Sequence, residues 1–130
     1  MIYLDTSVAL AHLLVENPRP PASFWDNTLV SSRLLEYELW SRLHARNLAH
    51  SHGEAAQGLV GRLALLELSP QVLARALGAF PVPLRTLDAL HLASLDYLRG
   101  RRQAVELASY DRRMTAAARA MDIPVHDMDA

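Results

Sequence analysis

Residues 1–15 read MIYLDTSVALAHLLV. Ile2, Tyr3 and Leu4 form an apolar run that stops at Asp5, which reads as a short buried strand. From Thr6 to Val15 the apolar positions recur at helical spacing, so a helix follows at once. A strand that ends on an acid and turns straight into a helix is the first unit of an alternating α/β fold. The rest of the chain continues the alternation. A short helix is expected over Ala22–Asn27, then a strand over Thr28–Ser31. Helices follow over Leu34–Ala49 and Glu54–Leu63, and a strand over Leu65–Leu68. Pro70 suits the first turn of a helix running to Gly78. Thr86 is the expected N-cap of a helix ending at Arg99. A strand over Ala104–Ser109, a helix over Arg112–Met121 and a last strand over Ile123–His126 complete the chain. The pattern predicts a central parallel sheet of about five strands with helices on both faces. Residues 1–130 are expected to form a single domain, since that length supports its own core.

Composition removes several chemistries. The chain has 13 basic residues against 14 acids, a net charge of -1, and every base is Arg. With no Lys, Schiff bases and phosphate-loop lysines are excluded, as is the lysine of aspartyl-phosphate enzymes. With no Cys, disulfides, thiolate zinc sites and cysteine nucleophiles are excluded. No basic segment precedes an apolar one at the N-terminus, and no apolar run approaches the roughly 18 residues of a membrane span. A soluble, cytoplasmic protein that does not enter a membrane is expected. Asn17-Pro18-Arg19-Pro20-Pro21 reads as a loop. His50 and His52, beside Gly53, read as a polar surface turn.

The acids carry the functional signal. In an open parallel sheet, sites form outside the carboxyl ends of the strands. Asp5 ends the first strand and Asp111 follows the fourth. Either also suits the N-cap of the next helix. On a helical wheel Glu38 falls inside the apolar sector of its helix, while Glu36 faces the other way. Asp88 likewise falls near the middle of an apolar face, and Asp96 nearer its edge. A buried carboxylate must be paired or bound to a metal, because an isolated buried ion is very costly. An i,i+4 pair with Arg42 would account for Glu38, and a helix first turn for Asp88. Neither accounts for four acids gathered at one end of a sheet. Together Asp5, Glu38, Asp88 and Asp111 suit an all-oxygen site for Mg²⁺ or Mn²⁺. Thr6, Ser7 and Ser109 are caps or supporting donors, and His91, one turn from Asp88, is a core residue or a support for Asp88.

Four stretches then match one family in order and spacing. They are Ile2-Tyr3-Leu4-Asp5-Thr6-Ser7, Ser32 to Leu39 (SRLLEYEL), Arg85 to Ala93 (RTLDALHLA) and Ser109-Tyr110-Asp111-Arg112-Arg113. Over essentially its whole length the chain resembles a PIN domain of the VapC toxin type. The resemblance implies a metal-dependent endoribonuclease of a toxin–antitoxin pair. Its acidic quartet maps onto Asp5, Glu38, Asp88 and Asp111, which would hold one or two Mg²⁺ or Mn²⁺ ions. Cleavage of transfer or ribosomal RNA would leave 5′-phosphate and 3′-hydroxyl ends. A homodimer and inhibition by a cognate VapB-type antitoxin are also implied. Candidate phosphate contacts are Arg33, Arg42, Arg85, Arg112 and Arg113, which flank the acidic stretches. Phe24 and Trp25 are either core or an interaction patch.

Two rival readings fit part of the pattern. An aspartyl-phosphate enzyme also places an Asp after the first strand, but lacks its lysine here. A degenerate PIN domain would bind RNA or protein without cleaving. The charge of -1 does not oppose an RNA partner. Without the quartet, ten acids face thirteen Arg, and guanidinium suits bidentate phosphate contact.

Overall fold

The computed structural model describes residues 1–129. The strands are β1 (Ile2–Leu4), β2 (Leu29–Ser32), β3 (Ala64–Leu66) and β4 (Glu106–Ala108). The helices are α1 (Thr6–Leu13), α2 (Arg33–Ala45), α3 (Ala49–Val60), α4 (Pro70–Leu77), α5 (Thr86–Gly100) and α6 (Arg112–Ala120). A 3₁₀ turn covers Ala22–Asp26. The sheet is parallel throughout, in the order β3-β2-β1-β4.

Alternation along the strands divides the core in two. Ile2, Leu4, Leu29 and Ala108 face the layer of α1, α2 and α3, where they meet Val8, Leu35, Leu39 and Leu59. Tyr3, Val30 and Leu107 face the other layer, where they meet Leu92 and Leu95 of α5 and Met114 of α6. Both faces are covered, which is why β1 reads as a continuous apolar run. Among the described residues no helix is long and apolar enough to cross a membrane.

Three local expectations need correction. The final strand is reduced to one bridge, Val125 against Leu107, held by Leu107 N–H to Pro124 O and His126 N–H to Leu107 O at 2.8 Å each. Pro124 has no N–H to extend the ladder, and the chain turns at Met128. The sheet therefore has four strands rather than about five. Second, His50 and His52 lie in the first turn of α3, not in a loop. The break before it falls at Asn47, in the left-handed region at φ 57°, a conformation Asn tolerates. Gly53 serves packing instead of a turn: a Cβ there would lie 3.1 Å from the Trp40 ring. Third, Thr86 is not the cap of α5. Arg85 occupies that extended position, with no side-chain cap bond. Phe24 follows the first of its two readings, since its side chain is buried in the core.

Candidate active site

The carboxyl ends of β1, β2 and β4 place three acid-bearing segments side by side, and the first turn of α5 adds a fourth. One cavity of about 340 Å³ is lined by Asp5, Glu38, Asp88 and Asp111, with Thr6, Ser7, Arg42 and Arg85 on the same wall. All four sequence-selected acids thus share one space. Glu36 does not reach it and instead pairs with Arg33 at 3.3 Å. No ion pair joins Glu38 to Arg42 among the described residues.

Each acid is held differently. Asp5 stands at the N-cap position of α1 but makes no cap bond. Its Oδ2 instead accepts from Ser7 Oγ at 2.7 Å and Ser109 Oγ at 2.8 Å. Ser109 Oγ in turn accepts the Asp111 N–H at 3.0 Å, so one hydroxyl ties β1 to the start of α6. Asp111 does cap its helix: Oδ1 accepts from the N–H groups of Arg113 at 2.9 Å and Met114 at 3.3 Å. Glu38 Oε1 accepts from Thr6 Oγ1 at 2.8 Å and pairs with His91 Nε2 at 2.5 Å. Asp88 has no hydrogen-bond partner among the described residues.

One rule covers all four. Every bond to Asp5 falls on Oδ2, every bond to Glu38 on Oε1, and every bond to Asp111 on Oδ1. Each carboxylate therefore commits at most one oxygen to the protein and keeps the other free. The proximity has an electrostatic effect. Burial, then the negative charges of Asp111 and Asp5 and finally that of Glu38, push the Asp88 carboxyl above its ordinary value, with His91 opposing. Like charges at one site disfavour ionisation in this way.

A PIN-domain family model matches residues 2–120. The chain belongs to the PIN-domain family. Its relatives include Ribonuclease VapC46 of Mycobacterium tuberculosis (strain ATCC 25618 / H37Rv), 34% identical over 95% of each chain. Ribonuclease VapC35 of Mycobacterium tuberculosis (strain CDC 1551 / Oshkosh) is 30% identical over 96% of this chain and 95% of its own. Ribonuclease VapC47 of that strain is 32% identical over 92% of this chain and 90% of its own. Within the family, this is a PIN domain of the VapC type.

The remaining candidates in this PIN domain separate by geometry. Arg85, Arg112 and Arg113 line an adjoining cavity that shares Asp88 and Asp111 with the first. Arg33 is elsewhere, its guanidinium spent on Glu67 at 2.7 Å and on Glu36. His91 bonds Glu38 and not Asp88, and Tyr3 lies behind it. The sequence pattern alone does not single out Tyr3. The available signal was a phenol in an otherwise aliphatic strand, since a buried tyrosine hydroxyl needs a partner. Trp25 lines a separate cavity with His12 and Arg62, and its indole N–H has no partner among the described residues.

Proposed function

We propose that this PIN domain is a divalent-metal-dependent endoribonuclease acting as the toxin of a toxin–antitoxin pair. The observation that carries this reading is the ring of four carboxylates, each with at least one uncommitted oxygen, round a single cavity. The donor set is all oxygen, which suits Mg²⁺ or Mn²⁺. Among the described residues no three acid or imidazole groups already close on one point as an ion cage. The fit lies in the open cavity and in the repulsion that raises the Asp88 carboxyl, which a cation would relieve. Asp5, Glu38, Asp88 and Asp111 would hold one or two ions.

The chemistry such a cation supplies when bound is Lewis acidity, which lowers the pKa of coordinated water and neutralises phosphate charge. The residues of the chain orient and exclude. Ser7 and Ser109 fix the plane of the Asp5 carboxylate, and Thr6 donates to Glu38. The free oxygens of the four acids give a proton somewhere to go as water attacks. Arg42 and Arg85 on the cavity wall, with Arg112 and Arg113 beyond Asp88, make no ion pair with any described carboxylate. They are available to bind RNA phosphates on both sides of the acids. Arg33 is not included, because Glu36 and Glu67 already occupy it.

A structured transfer or ribosomal RNA as substrate, a VapB-type antitoxin, a homodimer and a cytoplasmic setting rest on the family alone. Incubating purified protein with structured RNA, with Mg²⁺ or Mn²⁺ and with EDTA, tests the activity. Expression in bacteria with and without the neighbouring reading frame tests the toxin role. The assignment within α2 has its own control. Glu38→Gln is expected to lower cleavage about a hundredfold or more, as loss of a preorganised charged group does. Glu36→Gln is expected to leave the rate within about twofold, since it breaks only a surface pair. Equal losses in both would remove Glu38 from the site.

A further inference from the structure

Behind Glu38 runs a buried chain of hydrogen bonds that the cleavage chemistry does not itself require. Tyr3 on β1 is wholly buried, and its hydroxyl lies 2.8 Å from His91 Nδ1 on α5. His91, also buried, reaches Glu38 Oε1 on α2 through Nε2 at 2.5 Å. The two rings meet edge to face, with centroids 5.9 Å apart. We propose that Tyr3 and His91 are positioning residues for Glu38. By fixing one carboxylate oxygen, they leave the other aimed at the metal cavity. This inference rests on the metal-nuclease reading above.

The direction of each bond follows from what the groups can donate. An ionised Glu38 only accepts, so His91 Nε2 must carry the hydrogen. In the neutral ring Nδ1 is then an acceptor, and it needs a donor. Tyr3 is that donor. Ser31 and Ser94 flank the phenol, but their own hydroxyl protons go to the carbonyls of Leu4 at 2.6 Å and Leu90 at 2.8 Å. Thr6 adds a second donor to the same Glu38 oxygen at 2.8 Å. Oε1 is thereby saturated, and Oε2 has no protein partner among the described residues. Without the Tyr3 hydroxyl, the opposite imidazole tautomer becomes competitive, and that form turns a lone pair toward the carboxylate. A hydrogen bond behind a ligating group that fixes orientation in this way usually matters about 10–100-fold in metal affinity.

The test is a double-variant cycle read by Mn²⁺ affinity, measured by electron paramagnetic resonance titration of the whole protein. Tyr3→Phe keeps the ring and removes only the hydroxyl. His91→Gln keeps an N–H toward Glu38 but has no tautomer to fix. Tyr3→Phe is expected to weaken Mn²⁺ binding about tenfold or more with the fold retained. In the His91→Gln background the same change is expected to add almost nothing, since the two residues act through one path. Unchanged Mn²⁺ affinity in Tyr3→Phe would overturn the inference, as would an equal loss in both backgrounds. A measurement without any substitution guards against a misfolded variant. In the metal-free protein, nitrogen-15 shifts of His91 should show Nε2 protonated and Nδ1 bare. The reverse tautomer overturns the inference. If the unsubstituted protein binds no Mn²⁺ at all, the metal reading itself fails, and the positioning role falls with it.

Discussion

Asp88→Asn is expected to abolish RNA cleavage and, in the same protein, to raise the melting temperature at neutral pH without metal. The two effects have one cause. Asp88 sits half-buried in the first turn of α5 with no hydrogen bond, facing the charges of Asp111, Asp5 and Glu38. Its carboxyl is raised above its ordinary value, so the folded protein holds that proton more tightly than the unfolded chain does. Stability therefore falls as pH rises from the ordinary carboxylate value through the raised one. At pH 7 the charged Asp88 works against the fold, and the neutral amide removes that opposition. The amide is also a far weaker ligand for a hard cation, so cleavage should fall about a hundredfold or more. A damaged fold would lower both activity and melting temperature, so the opposite signs identify a functional acid. The readouts are a gel cleavage assay and thermal melts from pH 4 to pH 8 (about the range over which carboxylates and their raised forms titrate). Normal cleavage by the Asn variant would remove Asp88 from the site.

Withdrawal of divalent cations is the second large effect. EDTA is expected to stop cleavage, and Mn²⁺ or Mg²⁺ to restore it. Binding to the folded state alone also stabilises, by about 2.7 kcal/mol when free ion is a hundredfold above the dissociation constant. Saturating Mn²⁺ should therefore raise the melting temperature of the unsubstituted protein by several degrees. In Asp88→Asn that increment should shrink sharply. A metal-induced shift of the same size in both proteins would place the ion elsewhere.

Much of this was legible in the sequence because it depends on short-range patterns. Asp5 stands where an apolar run meets a helix, and the fold puts that junction at the sheet's carboxyl edge. Glu38 and Asp88 interrupt apolar helical faces, which is conspicuous on a wheel. Both positions line the same cavity. The errors arise where a tertiary contact decides. Gly53 read as a turn because its packing against Trp40 is invisible along the chain. Ile123–His126 read as a strand by composition, but a strand needs a ladder, and Pro124 cannot donate to one. Arg33 flanks an acidic stretch, yet Glu67 from beyond β3 captures it. The Tyr3–His91 bond joins residues 88 positions apart, and no local pattern points from one to the other.

The most direct test of the acidic centre is the chemistry of the ends it leaves on RNA. Purified protein should be incubated with an end-labelled structured RNA in Mn²⁺, and each new terminus identified by its sensitivity to phosphatase and to ligation. Hydrolysis by water is expected to give internal cuts with 5′-phosphate and 3′-hydroxyl ends, all lost with EDTA. Cuts that persist in EDTA and end in a 2′,3′-cyclic phosphate would show the RNA's own hydroxyl attacking without a metal, contradicting the role assigned to Asp5, Glu38, Asp88 and Asp111.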